Sequence, residues 1–174
     1  KKKEVKSAII FANSKGTCDE LVRFLGNHGV VSEALHSQKS QTHRTKVINN
    51  IKSRKIKFLV ATDLASRGLD IDHISHVINY ELPTNAEVYV HRIGRCGRAG
   101  STGVAYSLCS STEKSFFDKI EKFMKNKINV LSHSYHSEFA KTAKGKDSKP
   151  KFKVLEVKKR TPGKTVFTVR TKVN

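Results

Sequence analysis

Ten residues near the middle of the chain, His91-Arg92-Ile93-Gly94-Arg95-Cys96-Gly97-Arg98-Ala99-Gly100, hold three arginines and three glycines. Glycine lets main chain approach an anion closely, and a guanidinium fork matches two phosphate oxygens at once. Arg95 and Arg98, three apart, can reach one phosphate group from one face, whereas charge alone would give a solvated basic loop. A second segment, Ala61-Thr62-Asp63-Leu64-Ala65-Ser66-Arg67-Gly68-Leu69-Asp70, leaves an apolar run for a polar turn. Thr62 is suited to a phosphate there, and Asp70 to accepting from a ribose hydroxyl. Taken alone it reads as an Asp-rich loop capping a helix. The pairs His73/His76 and His133/His136 have no third ligand or thiolate pair beside them. They read as polar surface histidines, and no metal site is expected.

These residues need a frame. Short apolar runs at residues 7–12, 57–61, 76–80 and 103–108, with a weaker one at 31–35, read as strands buried on both faces, the habit of parallel sheets. Helical patterns separate them. Thr17-x-x-Glu20, Thr84-x-x-Glu87 and Ser110-x-x-Glu113 each have the form of a capping box. Phe116, Phe117, Ile120, Phe123 and Met124 form one helical face, read as core packing. Alternating strands and helices imply an α/β fold with a mostly parallel sheet, whose ligands sit where strands end and helices begin. Chemistry is therefore expected just after residues 11, 35, 61 and 80 and in the loop before 103.

The 174-residue chain carries 34 Lys+Arg against 15 Asp+Glu, a net charge of +19. Its length allows one domain with an appendage. A 37% hydrophobic content supports a packed core rather than general disorder. No apolar run is long enough to span a membrane, and no secretory leader is evident behind Lys1-Lys2-Lys3-Glu4. Three cysteines at irregular spacing suit a reducing interior and form neither a disulfide framework nor a zinc ribbon. The expected organisation is a domain over 1–140 and a basic extension over 141–174, which holds twelve Lys/Arg and two acids. Pro162-Gly163 fits a type II turn, so the extension is read as a β-hairpin behind a polar linker. Phe152 and Phe167 are read as packing against the domain rather than stacking on bases. The extension is also expected to add salt-dependent affinity for a polyanionic partner.

Arg67-Gly68-Leu69-Asp70 followed by His91-Arg92-Ile93-Gly94-Arg95-x-Gly97-Arg98 resembles motifs V and VI of superfamily 2 helicases. It is most similar to the second RecA-like domain of a DEAD-box ATP-dependent RNA helicase. Ile9-Ile10-Phe11-Ala12-Asn13-Ser14-Lys15 resembles motif IV, and Leu35-His36 with Gln41-Thr42-His43-Arg44 resembles the family's QxxR element. Tyr80-Glu81-Leu82-Pro83 and Glu87-x-Tyr89-Val90 match the lead-in to motif VI, so the resemblance covers about residues 5–135. Ser14, Ser37, Ser66 and Cys96 depart from the commoner residues without removing a charged group.

The resemblance implies a three-layer α/β/α RecA-like fold. It makes Arg95 and Arg98 arginine fingers on ATP, brings Gly68 and Asp70 to the nucleotide, and has His91 and Arg92 face a partner domain. It gives Ser14, Gln41, Arg44, Thr62 and Gly68 to the RNA backbone. No GxxxxGK[ST] loop or Asp-Glu-Ala-Asp run occurs in the chain. The Mg²⁺ site and catalytic base are therefore expected on an N-terminal RecA-like domain of the same polypeptide, and this chain alone is expected to be inactive. A cytoplasmic, bacterial setting is expected. The alternatives are a superfamily 2 DNA helicase or translocase domain and a stand-alone RNA-binding module; no membrane partner is expected.

Overall fold

The computed structural model describes residues 5–69, 71, 74–97 and 102–131, together with the backbone of 167–173. Five parallel strands form the frame: β1 (Ala8–Phe11), β2 (Ser32–Leu35), β3 (Phe58–Ala61), β4 (His76–Asn79) and β5 (Gly103–Cys109). Ala8 stands beside both Phe58 and His76, Ser32 beside Phe58, and His76 beside Val104. Their carboxyl ends therefore align along one edge. Two more strands, β6 (Asn129–Leu131) and β7 (Phe167–Val173), complete a sheet of order β2-β3-β1-β4-β5-β7-β6.

Strand alternation divides the core between the two faces. Ile10, Ala12, Ala34 and Val60 face Cys18, Leu21, Val22 and Leu25 of α1 (Lys15–Asn27). Their spacing of three, four and seven residues makes one helical stripe. On the other face, Ile9, Phe11, Leu59 and Val77 share a cluster with residues of α2 (Gln41–Lys52), α3 (Asp63–Ser66), α4 (Ala86–Ile93) and α5 (Lys114–Met124). The result is the expected three-layer α/β/α arrangement. Within α5, Phe117 and Ile120 are buried and Phe116 and Met124 pack against the cluster, but Phe123 is 52% exposed and leaves the expected stripe.

Only one expected capping box forms. Ser110 and Glu113 bond reciprocally at the start of a 3-10 turn, Ser111–Glu113, that leads into α5. The N-cap of α1 is Ser14, whose hydroxyl accepts from the Thr17 amide, and that of α4 is Asn85, which accepts from the Glu87 amide. In both helices a nearer side chain reaches the open amides first, displacing Thr17 and Thr84 from the cap.

One arm of the expected hairpin falls on β7. Its backbone pairs antiparallel with β5 along one edge and with β6 along the other. The 152–157 arm lies outside the described residues. Among the described residues, no helix is long and apolar enough to cross a membrane.

Candidate nucleotide and RNA edge

The connection from β1 runs to one side of the sheet and that from β4 to the other, so chain paths diverge between these strands. Crevices of this kind take ligands in open α/β sheets. Here a side chain fills it. Arg92 of α4 is 1% exposed, and each of its five N–H groups meets an acceptor. Nε and Nη2 donate to the two Asp63 carboxylate oxygens at 2.6 and 2.7 Å. Nη1 donates to the Glu81 carbonyl at 2.7 Å and the Asn79 amide oxygen at 3.4 Å, and Nη2 also donates to Asn13 Oδ1 at 2.8 Å. The guanidinium lies 5.1 Å from the Phe11 ring centroid, a favourable position for a cation over a π face.

The loops around this plug are locked to one another. The Asn13 amide donates to Glu81 Oε2 at 2.7 Å, and its side chain donates to the Leu82 carbonyl. Glu113 accepts from the Leu82 amide at 2.7 Å, joining the turn after β5. Below, Asn79 donates to Ser107 Oγ, which donates to the Tyr89 hydroxyl. The ends of β1, β3 and β4 thus share one hydrogen-bonded network.

Sequence resemblance gave His91 and Arg92 together to a partner domain; in the structure His91 is exposed and Arg92 is buried, its donors engaged by the loops around it. Exposed His91 and half-buried Arg95 flank it on the outward side. With Asp63, Ser66, Arg67, Val88 and Arg92 itself they line a recess of about 40 Å³. Ligand pockets typically run to about 300–1,000 Å³. The recess can be one wall of a nucleotide site but not a whole one.

Motif V follows from its turn. Thr62 is the N-cap position of α3, and its amide donates to the Leu35 carbonyl, but its side chain makes no capping hydrogen bond. Gly68 has φ +68°, a left-handed conformation that costs other residues energy, and the turn returns Leu69 to the core. Arg44 of α2 donates through Nη2 to the Arg67 carbonyl at 3.2 Å, tying α2 to this turn. Gln41 is exposed at the first position of α2, and Ser14 is exposed at the α1 N-cap. Ser14, Gln41, Arg44, Thr62 and Gly68 therefore all lie in segments that follow the carboxyl ends of β1, β2 and β3. Asp70 and Arg98 lie outside the described residues, as do His73, His133 and His136. His76 is buried in β4, where Nδ1 lies 2.8 Å from Ser75 Oγ and the ring stacks on Tyr106.

The sequence gave no role to Asp63, Asn13, Asn79 or Glu81 as partners of Arg92, nor to a cluster between α1 and the loop that leads from β2 to α2. There His36 Nε2 lies 3.1 Å from both Asp19 oxygens, and Lys39 Nζ donates to Asp19 at 3.0 Å. Partial burial raises the Asp19 pKa, but hydrogen bonds from His36 and Lys39 outweigh it and hold the carboxyl below its ordinary range. Burial pushes the Cys18 and Cys109 thiols up to about 12, and that of Cys96 upward too. All three cysteines are buried, so Cys96 is a packed thiol rather than an exposed one in the arginine loop.

A sheet of this order, with a cationic edge above a plugged crevice, has the form of a RecA-like helicase lobe. The chain belongs to the helicase family defined by the helicase conserved C-terminal domain, whose profile matches residues 1–100. It is similar to DEAD-box RNA helicases. It is 43% identical over 124 residues to the ATP-dependent RNA helicase CshA of Listeria monocytogenes, covering 71% of this chain and 24% of the relative. It is 47% identical over 123 residues to DEAD-box ATP-dependent RNA helicase 40 of Oryza sativa, covering 71% and 14%. The chain spans a quarter or less of these relatives' lengths. Among solved structures, the E. coli DEAD-box protein SrmB bound to regulator of ribonuclease activity A has a TM-score of 0.69 at 32% identity, over 72% of this chain and 74% of that one. A DEAD box protein from Methanococcus jannaschii has a TM-score of 0.65 at 43% identity, over 70% and 33%.

Proposed function

We propose that this domain forms one wall of an ATP site in an RNA helicase and carries part of the RNA backbone surface. Arg95, with Arg98, acts as an arginine finger toward the transferred phosphoryl group. Gly68 and Asp70 face the nucleotide, and His91 faces the preceding domain. Ser14, Gln41, Arg44, Thr62 and Gly68 hold RNA through its sugar-phosphate backbone, with little dependence on sequence. The observation that carries this reading is the outward pairing of His91 and Arg95 beside a recess too small to enclose a ligand.

The donor set suits phosphate oxygens. Arg67, His91 and Arg95 are cationic or hydrogen-bond donating, while the recess carboxylate, Asp63, is engaged by Arg92. Among the described residues, no group of three or more His, Cys, Asp or Glu side chains could hold a metal ion. In this proposal Mg²⁺ belongs to the other wall, as the resemblance to DEAD-box helicases implies. When bound, ATP supplies the phosphoryl group whose charge must be neutralised during transfer. Arg92 fixes α4, and the Arg95 amide donates to the Arg92 carbonyl at 3.0 Å, which anchors the start of the loop that carries Arg95. The cation acts only once the second domain closes over it, so this chain alone should not turn over ATP.

The test is Arg95→Ala in the full-length enzyme. The ATPase kcat should fall about 10³-fold or more, with RNA affinity retained. An unchanged kcat removes the finger role. Unwinding rates on matched RNA and DNA duplexes distinguish the RNA helicase from a DNA translocase. The RNA assignment is supported by the chain's similarity to DEAD-box RNA helicases.

A further inference from the structure

Between Glu33 and Asp63 the sequence contains seven Lys or Arg and no Asp or Glu. The structure lays this stretch along α2. Val47 and Ile51 face the core, while Thr42, Thr45, Lys46, Asn49 and Lys52 are exposed at spacings that share one outer side. Solvated helices ordinarily mix both signs and gain from acid–base pairs four apart. α2 itself contributes no Asp or Glu to this face.

Beyond α2 the chain makes a built knuckle. The Arg54 amide donates to the Ile51 carbonyl, and the Lys55 and Ile56 amides both donate to the Asn50 carbonyl. Ser53 Oγ donates to the Asn49 carbonyl at 2.7 Å, and Ile56 is buried. Arg54 is held at φ +59°, a left-handed conformation where glycine or asparagine would be relaxed and an arginine is strained. Arg54, Lys55 and Lys57 are all exposed around that point. A strained, hydrogen-bonded turn thus displays three cations in fixed positions. It lies at the amino end of β3, opposite the edge that carries Arg95. The twelve residues of α2 span about 18 Å between Gln41 and the knuckle.

We infer that the outer face of α2 and the knuckle form a second track for single-stranded RNA, continuing the path that begins at Gln41 and Arg44. The inference rests on the RNA reading above and extends it to the opposite pole. Lys46, Arg54, Lys55 and Lys57 neutralise phosphates, and Thr42 and Asn49 offer hydrogen bonds. No aromatic side chain lies among the exposed α2 residues, so stacking contributes nothing there and the contact depends on charge.

The test compares this chain with K46Q/R54G/K55Q/K57Q, using labelled oligouridylates of about 8 and about 25 nucleotides between 50 and 200 mM salt. R54G relaxes the knuckle and serves alone as the folding control, with thermal melts followed by circular dichroism. The wild type should show a steeper salt slope on the long RNA than on the short one. The quadruple variant should lose about 2–3 of that slope, at roughly 0.7 per phosphate contact, and keep its affinity for the short RNA. An unchanged long-RNA slope in a folded variant overturns the track while leaving the RNA reading intact. No wild-type binding to either RNA overturns both. A variant that loses poly-glutamate binding but keeps its RNA slope assigns the face to an acidic protein, and the track is wrong.

Discussion

Arg92 and the α2 face use cationic side chains in opposite ways. Arg92 has almost no exposed surface and an acceptor for every N–H, whereas Lys46, Arg54, Lys55 and Lys57 stand in solvent. Charge count makes these regions alike, and burial separates them. A desolvated guanidinium must be matched in full, so it organises the loops around it. An exposed ammonium stays available to a polyanion. What the molecule does with a cation therefore depends on how many acceptors the fold brings to it.

The largest effect should come from breaking the buried side of that contrast. Arg92→Ala removes the partner of Asp63 and three further acceptors, and should cost about 3–5 kcal/mol in urea unfolding. Arg92→Lys should recover only part of it, since an ammonium cannot reproduce the planar fork. Full recovery by lysine would make the site a simple charge pair.

Gly103→Ala probes the packing beneath the arginine loop. An added Cβ would meet the Gly97 amide nitrogen at 2.5 Å and Cys96 Sγ at 2.6 Å. Overpacking of this kind typically costs about 1–3 kcal/mol. Denaturant melts check the stability, and ATPase of the full-length enzyme reports whether the loop has moved. A neutral substitution would mean that β5 does not hold the loop.

The smallest effect concerns Asp19, which is substantially exposed, so its charge should contribute below about 1 kcal/mol. Its carboxyl pKa is lower in the folded chain than the unfolded value of about 3.9. The stabilisation is therefore present above that value and lost as pH falls through the folded value. Asp19→Asn should lower Tm at pH 7, with the difference from wild type closing below about pH 4. A difference that persists in acid would identify hydrogen-bond geometry, not charge, as its source.

Much of the frame was legible because strands buried on both faces cannot hide their apolar runs: all five parallel strands fall where Ala8, Ser32, Phe58, His76 and Gly103 predict. Helix starts were less legible. A capping box is a local pattern, and Ser14 and Asn85 reach the open amides before Thr17 and Thr84 can. The course of β7 was hidden for another reason, since its ladder with β5 joins residues 58 to 70 positions apart. At the site, spacing grouped His91, Arg92 and Arg95 but could not reveal that Arg92 is buried while His91 is exposed and Arg95 half-buried beyond the end of α4. Asn79 and Glu81 bracket the end of β4, but only the folded chain brings Asn13 and Asp63 to the same guanidinium.

The Arg44 contact has one more consequence. Its acceptor is the main-chain carbonyl of residue 67, a group every amino acid carries. The tether is therefore indifferent to which residue evolution or an engineer places at 67, provided the Gly68 turn survives. One change at 44 severs it, so all the mutational risk of this link rests on a single partner.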